Sequence, residues 1–265
     1  MLPEDQDRVV VILVRARNPG NIGASARAMH DLGFRNLRVV NEFPVPFAAA
    51  KAAVDASSVL DAAVEATTVA EAVADCTLVL GTTAVGARVL EHPLHVLPKA
   101  VGVIHAALAA DPGARVALLF GSEKTGLSNE ELSHCHALLT IPMNTRTADR
   151  HLSMNLGQAV AVCLYAIATA SQHPADPALE TTAPAGDFER LTTLLRDVLE
   201  VSGYTRRNPA NTREPNLRRL VRRMALTAAD APVWTGILRQ LLHRLQLAPH
   251  EHPMPPDEGE NAHKL

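Results

Sequence analysis

Five short apolar runs, separated by segments with helical patterning, place the strongest constraint on how this chain can fold. The runs are Val9–Val14, Leu37–Val40, Thr77–Leu80, Val116–Phe120 and Leu138–Ile141. They are mostly apolar without alternating with polar residues, which is typical of strands buried on both faces. The sequence therefore predicts an α/β fold, a parallel sheet with helices on both of its faces.

The segments between the runs predict the helices of this domain. They are Ile22–Leu32, Ala48–Val54, Val59–Ala74, Lys99–Ala110 and Asn129–Cys135. Gly33 is placed to end the first helix and Pro98 to begin the fourth, and Ser128 with Glu131 forms a capping box for the fifth. A last helix, from Ser153 to about Ala170, closes the domain.

A proline-rich stretch follows and marks the predicted domain boundary. Beyond it the pattern is helical, over Phe188–Val201, Asn216–Leu226 and Val233–Leu247, and then polar and proline-rich. We predict a main domain over residues 1–171, a linker over 172–187, a helical extension over 188–248 and a disordered tail over 249–265.

Composition limits the class of protein. A chain of 265 residues with 47% hydrophobic content can bury a large core. The N-terminus lacks the pattern of a signal peptide, and the most apolar helix falls short of the roughly 18 apolar residues of a membrane span. Three scattered cysteines without a C-x-x-C pair indicate reduced thiols. We therefore expect a cytoplasmic protein.

Three polar segments follow strands of the predicted sheet. They are Asn18–Gly23 with Arg27, Phe120–Gly126, and Ile141–Asn144 with Leu152–Leu156. In an open parallel sheet, ligands bind beyond the carboxyl ends of the strands, so these segments should converge on one site. The small residues Gly81, Thr82 and Thr83, after a fourth strand, would let a ligand approach the backbone.

The first two of these segments also have an interpretation without function. Asn21 is suited to capping a helix, Arg27 to an exposed helical position, and Glu123 to a solvated loop. The order G-x-x-x-x-G-K-[ST] of phosphate-binding loops is absent, and so is a G-x-G-x-x-G after the first strand. A nucleotide triphosphatase and a dinucleotide-dependent enzyme are therefore disfavoured.

Histidines near Cys135 raise the question of a metal site. His134 and His136 flank Cys135, and His92 with His95 lies upstream. Their spacing does not match the usual zinc-binding patterns, so we predict no metal.

Together, the three segments resemble the motifs of the SpoU (TrmH-type) group of SPOUT RNA 2′-O-ribose methyltransferases. The matching stretches are 18–27, 119–127, 141–143 and 152–156, and the resemblance spans about residues 8–170. The extension is similar to that of TrmJ-type tRNA methyltransferases, in the Arg-rich helix near Arg218 and in Trp234–Leu238.

The resemblance implies a deep trefoil knot in the C-terminal part of the domain, a fold feature that sequence patterns do not reveal. It implies S-adenosylmethionine as the cofactor, no metal, and a homodimer whose active site is completed across the interface. The residues implied to line the cofactor pocket are Thr82, Thr83, Gly121, Ile141, Met143, Leu152, Ser153 and Asn155.

The resemblance also implies catalytic roles. Arg27 occupies the position that activates the ribose 2′-hydroxyl. Because a guanidinium keeps its proton at neutral pH, we expect Arg27 to bind the target phosphate or to stabilise the alkoxide, with the proton leaving through phosphate or water. Asn21 would set this geometry. Glu123, Ser153 and Asn155 would support Arg27 and the methionine end of the cofactor.

Recognition of RNA is predicted to rest on arginines, although the net charge is −3. Seven arginines lie between Arg206 and Arg223 against one acid, Glu214. The predicted RNA contacts are Arg27, Arg146, Arg150, Arg206, Arg207, Arg218 and Arg222. The alternative is an amphipathic helix whose apolar face packs in the core, and both interpretations are compatible. That face would consist of Leu217, Leu220, Val221 and Met224.

An aromatic content of 3% argues against recognition by base stacking and favours a folded RNA. The resemblance to TrmJ-type enzymes implies tRNA, methylated at position 32 of the anticodon loop. A ribosomal RNA target and a catalytically silent RNA-binding protein remain alternatives.

Overall fold

The computed structural model describes residues 1–40, 57–84, 91–143, 153–170 and 182–247. Its strands are β1 (Val9–Val14), β2 (Asn36–Val40), β3 (Val64–Ala66), β4 (Leu78–Thr82), β5 (Leu94–Val96), β6 (Val116–Phe120) and β7 (Ala137–Thr140). Within the described ranges they form one sheet in the order β3-β2-β1-β6-β4-β7-β5, and every neighbouring pair is parallel. The predicted parallel sheet is confirmed.

Helices connect these strands and continue beyond the sheet. They are α1 (Pro3–Gln6), α2 (Pro19–Asp31), α3 (Ser57–Asp61), α4 (Val69–Val73), α5 (Leu97–Ala110), α6 (Asn129–Leu132), α7 (Leu156–Thr169), α8 (Ala185–Val201), α9 (Tyr204–Arg207), α10 (Glu214–Arg223) and α11 (Asp230–Leu247). None of the helices described here has the length and apolar character needed to cross a bilayer.

The predicted start and stop signals are confirmed at three helices. Pro98 lies in the first turn of α5, and both hydrogen bonds of the capping box between Ser128 and Glu131 are present at α6. Gly33 follows α2 with a φ of 83°, in the left-handed region that glycine adopts most easily.

The prediction of one helix over Val59–Ala74 is wrong. The structure divides this stretch into α3, the edge strand β3 and α4. The side chain of Thr68 caps α4 by accepting a hydrogen bond from the amide of Glu71, whose carboxylate in turn accepts bonds from Thr67. These two threonines begin a new helix, which the alanine-rich pattern obscured. The predicted helix Ala48–Val54 lies outside the described residues, as does the tail from Pro249.

Both faces of the sheet are buried. In β1, alternate side chains point to opposite faces, and both sets are packed. Val9, Val11 and Leu13 pack with helices α2, α5 and α7 on one face. Val10, Ile12 and Val14 pack on the other face with α4 and α6. This two-sided burial explains why the strand sequences are apolar throughout.

Helices α8 to α11, which we call the extension, enclose an apolar core of their own and also contact the sheet. Phe188, Leu191, Val221 and Leu238 form its centre. Helix α8 begins at Ala185, within the predicted linker, and the amides of Ala185 and Gly186 donate hydrogen bonds to the carbonyls of Cys76 and Ala74, at 2.8 and 2.9 Å. The last residues of the predicted linker are therefore packed in place. Where the main domain ends stays a prediction, since residues 171–181 are not among those described.

The apolar face predicted for α10 is confirmed only in part. Leu217 and Val221 are 2% exposed, whereas Leu220 and Met224 are 47% and 39% exposed.

Candidate active site

The carboxyl ends of four adjacent strands form the floor of the candidate site. Strands β1, β6, β4 and β7 are neighbours in the sheet, and their last residues lie at the same edge. The three polar segments follow β1, β6 and β7, while Thr82 and Thr83 lie at the end of β4. Strand order therefore brings together segments that are far apart in sequence.

The turn after β1 orients the first segment. Asn18 caps α2, because its side-chain oxygen accepts a hydrogen bond from the amide of Gly20 at 2.9 Å, and Pro19 occupies the first turn. Asn21 does not cap the helix and instead lies inside this first turn. Its carboxamide is thereby free to bond with the other segments.

A chain of side-chain hydrogen bonds joins all three segments. The amide nitrogen Nδ2 of Asn21 donates to Oε1 of Glu123 at 3.0 Å. Nδ2 of Asn155 donates to Oδ1 of Asn21 at 2.9 Å. Oδ1 of Asn155 also accepts a bond from the amide of Gly157 at 3.0 Å, and so caps α7. The predicted convergence of Asn21, Glu123 and Asn155 is confirmed.

Backbone amides complete the surroundings of Glu123. Its carboxylate accepts hydrogen bonds from the amides of Arg17 and Asn18, each at 3.3 Å. Burial by itself would raise the pKa of Glu123, but the bond from Asn21 and the backbone amides outweigh it and lower the pKa. Glu123 is thus exposed in its loop, as the interpretation without function has it, but it is also an anionic acceptor that holds the turn after β1.

The loop that carries Glu123 is closed on itself. The amide of Gly126 donates to the carbonyl of Ser122 at 2.7 Å, and Gly126 has a φ of 66°. A Cβ atom at Gly121 would lie 2.2 Å from the backbone nitrogen of Leu127, so no side chain fits there. Gly121 therefore serves the tight loop, independently of any contact with a ligand.

Arg27 lies apart from this network. It is exposed on α2, with no hydrogen bond or ion pair among the residues the structure describes. Glu123 and Asn155 bond to Asn21, so any support that they give to Arg27 is indirect, through the start of α2, and their predicted role stays a prediction. Helix α7 crosses α2 closely at Ala24, one turn before Arg27, where Gly157 leaves room for it.

The residues predicted to hold the cofactor are placed as follows. Thr82, Thr83, Ile141 and Met143 are partly exposed at the ends of β4 and β7. The hydroxyl of Thr82 donates to the carbonyl of Leu119, at 2.9 Å, which ties β4 to β6. Ser153 is exposed and precedes α7, which begins at Leu156 instead of at Ser153. Three further predicted residues, Arg146, Arg150 and Leu152, lie outside the described ranges.

Two of the arginines predicted to bind RNA are buried. The side chains of Arg218 and Arg222 are each 4% exposed, and both bond to Glu189, at 3.1 and 2.9 Å. Arg218 also reaches Glu130 of α6 at 2.6 Å. We call Arg218, Arg222, Glu189 and Glu130 the arginine–glutamate cluster. It attaches the extension to the sheet domain, so the assignment of Arg218 and Arg222 to RNA is corrected. Arg206 and Arg207 of α9 are exposed.

The histidines beside Cys135 have structural partners. Nδ1 of His134 lies 3.1 Å from Oε1 of Glu189, and Nδ1 of His136 accepts a hydrogen bond from the amide of Val79 at 3.0 Å. Across the described ranges, no group of three or more His, Cys, Asp or Glu residues is arranged to hold a metal ion.

Sequence reasoning missed the ion pair between Arg15 and Glu131. Arg15, one residue after β1, has a φ of 55°, and its guanidinium makes two bonds to the Glu131 carboxylate at 2.5 and 2.9 Å. The capping box identified Glu131 as a helix-start residue, which gave no indication of a partner more than a hundred residues upstream.

Comparison with known proteins assigns this geometry to a family. Residues 8–165 match the SpoU rRNA Methylase family. The tRNA (cytidine/uridine-2′-O-)-methyltransferase TrmJ of Sodalis glossinidius (strain morsitans) is 35% identical over 239 residues, covering 88% of this chain and 91% of that protein.

Solved structures agree with this match. The crystal structure of TrmJ from Z. mobilis ZM4 is 31% identical, with a TM-score of 0.72, and the alignment covers 88% of this chain and 98% of the other. A putative methylase family protein from Neisseria gonorrhoeae is 29% identical with a TM-score of 0.60, over 73% and 96% of the two chains. The resemblance seen in the three motifs is confirmed, and the chain belongs to the SpoU rRNA Methylase family.

Proposed function

We propose that this protein transfers a methyl group from S-adenosylmethionine to a ribose 2′-hydroxyl of tRNA, at position 32 of the anticodon loop. The observation that carries the proposal is the hydrogen-bond chain from Glu123 through Asn21 to Asn155. It fixes the three motif segments against each other at the strand ends, which is the preorganised geometry that a transfer reaction needs.

The residues present fit the cofactor. Partly exposed Ile141 and Met143 offer apolar contact. Thr82 and Thr83 offer hydroxyl oxygens as acceptors, because both hydroxyls already donate to backbone carbonyls. Both pairs lie at the ends of neighbouring strands. A small ligand with an apolar ring system and a polar tail suits such a lining. Exposed Ser153 precedes α7 and would add a further hydroxyl group. We include Leu152 in the lining on the sequence motif alone. When bound, S-adenosylmethionine supplies a methyl group activated by its sulfonium charge.

The protein then has to align the attacking oxygen and stabilise negative charge. Arg27 is suited to this, because its guanidinium is exposed and has no partner among the described residues. It would bind the target phosphate or stabilise the alkoxide, and the proton would leave through phosphate or water. Asn21, held by Glu123 and Asn155, would keep the start of α2 and therefore Arg27 in place.

The choice of tRNA rests on the extension. The family match ends at residue 165, whereas the similarity to the Sodalis tRNA methyltransferase covers 88% of the chain and so includes the extension. Exposed Arg206 and Arg207 lie on that extension and would contact tRNA phosphates, together with Arg146 and Arg150. Ribosomal RNA is the second candidate, because the family is named for rRNA methylation.

The test uses tritiated S-adenosylmethionine with tRNA transcripts and with ribosomal RNA, followed by digestion to nucleosides. We expect label in 2′-O-methylated nucleosides of tRNA, and none in a transcript that carries a 2′-deoxynucleotide at position 32. Label confined to ribosomal RNA would refute the choice of tRNA. Label in a base, or none in either RNA, would refute ribose methylation by this protein.

We also propose that the protein is a homodimer that pairs through α2 and α7, and that the C-terminal part of the sheet domain forms a deep trefoil knot. In support of the dimer, Val162 and Tyr165 are 36% and 61% exposed on α7. Such exposure on the outer side of a helix that packs against α2 favours a second copy as its cover.

The three buried free thiols fit a reducing compartment, and we place the protein in the cytoplasm.

The dimer proposal predicts that Tyr165→Arg yields a monomer in light scattering and lowers methyl transfer. The matched control is Ile237→Arg, which places the same charge on exposed apolar surface of the extension, where Ile237 is 43% exposed. The control should stay dimeric. A Tyr165→Arg protein with the mass of a dimer would contradict this interface.

A further inference from the structure

Arg15 plays no direct part in the proposed reaction. It nevertheless lies beside the turn after β1 and the loop after β6, the two segments that surround Glu123. Arg15 follows β1 in a left-handed conformation with a φ of 55°, which an arginine adopts only where its surroundings impose it. Its amide donates to the carbonyl of Val40 at 2.8 Å, so the backbone is fixed at this point. The side chain is directed across the sheet edge to the segment after β6.

Hydrogen bonds to Glu131 and to the carbonyl of Gly126 fix the guanidinium of Arg15. It makes the two bonds to Glu131 at the start of α6, and Nη2 donates to the carbonyl of Gly126 at 3.1 Å. Glu131 is itself held by the amide of Ser128 at 2.6 Å. Burial would raise the pKa of Glu131, but Arg15 and Ser128 lower it, so the pair is ionised. A two-bond pair between an arginine and a carboxylate fixes direction as well as distance.

These contacts surround Glu123 from two sides. Gly126 closes the loop that carries Glu123, and the amides of Arg17 and Asn18, which follow Arg15 in the chain, donate to its carboxylate. Arg15 therefore connects the turn after β1 with the loop after β6, in addition to the hydrogen bonds that Glu123 itself makes to that turn.

We propose that Arg15 is a positioning residue for methyl transfer, which fixes Glu123, and through it Asn21, without touching either substrate. The proposal rests on the proposed function for its catalytic consequence. Its structural part, that Arg15 sets the surroundings of Glu123, stands independently of activity.

The first measurement addresses activity. In Arg15→Ala, kcat should fall about 10-fold to 100-fold while the KM for tRNA and the calorimetric affinity for S-adenosylmethionine change little, since a small misplacement affects mainly the transfer step. Arg15→Lys should recover part of kcat, because it keeps the charge but loses the two-bond geometry. The matched control is Arg8→Ala, which removes an ion pair of similar exposure, with Asp5, away from the site. It should keep the wild-type kcat.

The second measurement does not need an active enzyme. Carbon-13 NMR of glutamate carboxyls, with Glu123→Gln to assign the signal, follows the titration of Glu123. Because hydrogen bonds lower its pKa, Arg15→Ala should shift that pKa upward, and Arg8→Ala should leave it in place. An unchanged Glu123 titration in folded Arg15→Ala overturns the proposal, and so does an unchanged kcat. If the wild type lacks methyl transfer but the titration shifts, the proposed function fails and the positioning of Glu123 by Arg15 is upheld.

Discussion

Arg27→Ala is expected to lower kcat for ribose methylation by about 100-fold to 1,000-fold, the usual loss when a group that stabilises developing charge is removed. Cofactor affinity should stay close to wild type, because Arg27 is exposed on α2 and lies outside the hydrogen-bond chain at the strand ends. The measurements are single-turnover methyl transfer to tRNA and calorimetry with S-adenosylmethionine.

Two further variants sharpen this result. Arg27→Lys keeps the positive charge but loses the planar donor geometry, so it should recover only part of the activity. Arg35→Ala removes another exposed arginine, after α2, and should be neutral. If Arg27→Ala lost cofactor binding, Arg27 would belong to the cofactor pocket, and the division between substrate and cofactor residues would be wrong.

Glu189→Ala is expected to cost about 3–5 kcal/mol of the free energy of unfolding. Glu189 bonds to both Arg218 and Arg222, whose side chains are 4% exposed, and Arg222 also lies over the ring of Phe188. Removing the acid leaves two buried charges short of their shared partner. Chemical denaturation at pH 7 measures the loss. Glu200→Ala, at the exposed end of the same helix, is the control and should change stability by less than about 0.5 kcal/mol.

The pH dependence of stability provides an independent check on Glu189. Burial would raise its pKa, but the hydrogen bond from His134 and the charges of Arg222 and Arg218 lower it to about 2. Its folded pKa is thus below the unfolded value, so its contribution is complete above about pH 4.5 and is lost as the pH falls toward 2. Glu189→Ala should lose stability less steeply than wild type across this window. Parallel curves would show that the cluster is not ionised as described.

The sheet was predictable where strands are buried, and not at its edges. The bounds of β1 and β6 follow from their apolar sequences, because central strands of a parallel sheet have no solvent-facing side. Strands β3 and β5 are three residues long, and Val64 and Leu94 in them are 56% and 37% exposed. Such short edge strands depend on a neighbour already in place, so no local pattern identifies them.

The site residues were likewise predictable where a local sequence pattern identifies them, and not where their role depends on tertiary packing. Asn21, Glu123 and Asn155 were predictable because each follows a recognisable strand, and parallel strands end at one edge. Arg218 and Arg222 were wrongly assigned to RNA binding. The sequence of an arginine-rich helix does not show whether its guanidinium groups are exposed to solvent or buried in ion pairs. Glu130, one of the partners of Arg218, lies 88 residues away from it in sequence. Whether these arginines are exposed or buried depends on how the extension packs against α6.

The pairing of β1 with β6 has a consequence for how the protein is made. Val9 in β1 pairs with Val116 in β6, so β1, although near the start of the chain, has one edge without a partner until roughly a hundred more residues have been synthesised. At a translation rate of about 5–20 residues per second, this edge of the apolar strand stays unpaired for about 5–20 s. During this time the unpaired edge of β1 is exposed to aggregation, and the turn after β1 and the side chain of Arg15 lack their partners Glu123 and Glu131. The candidate site can therefore form only after β6 and the residues that follow it have been synthesised.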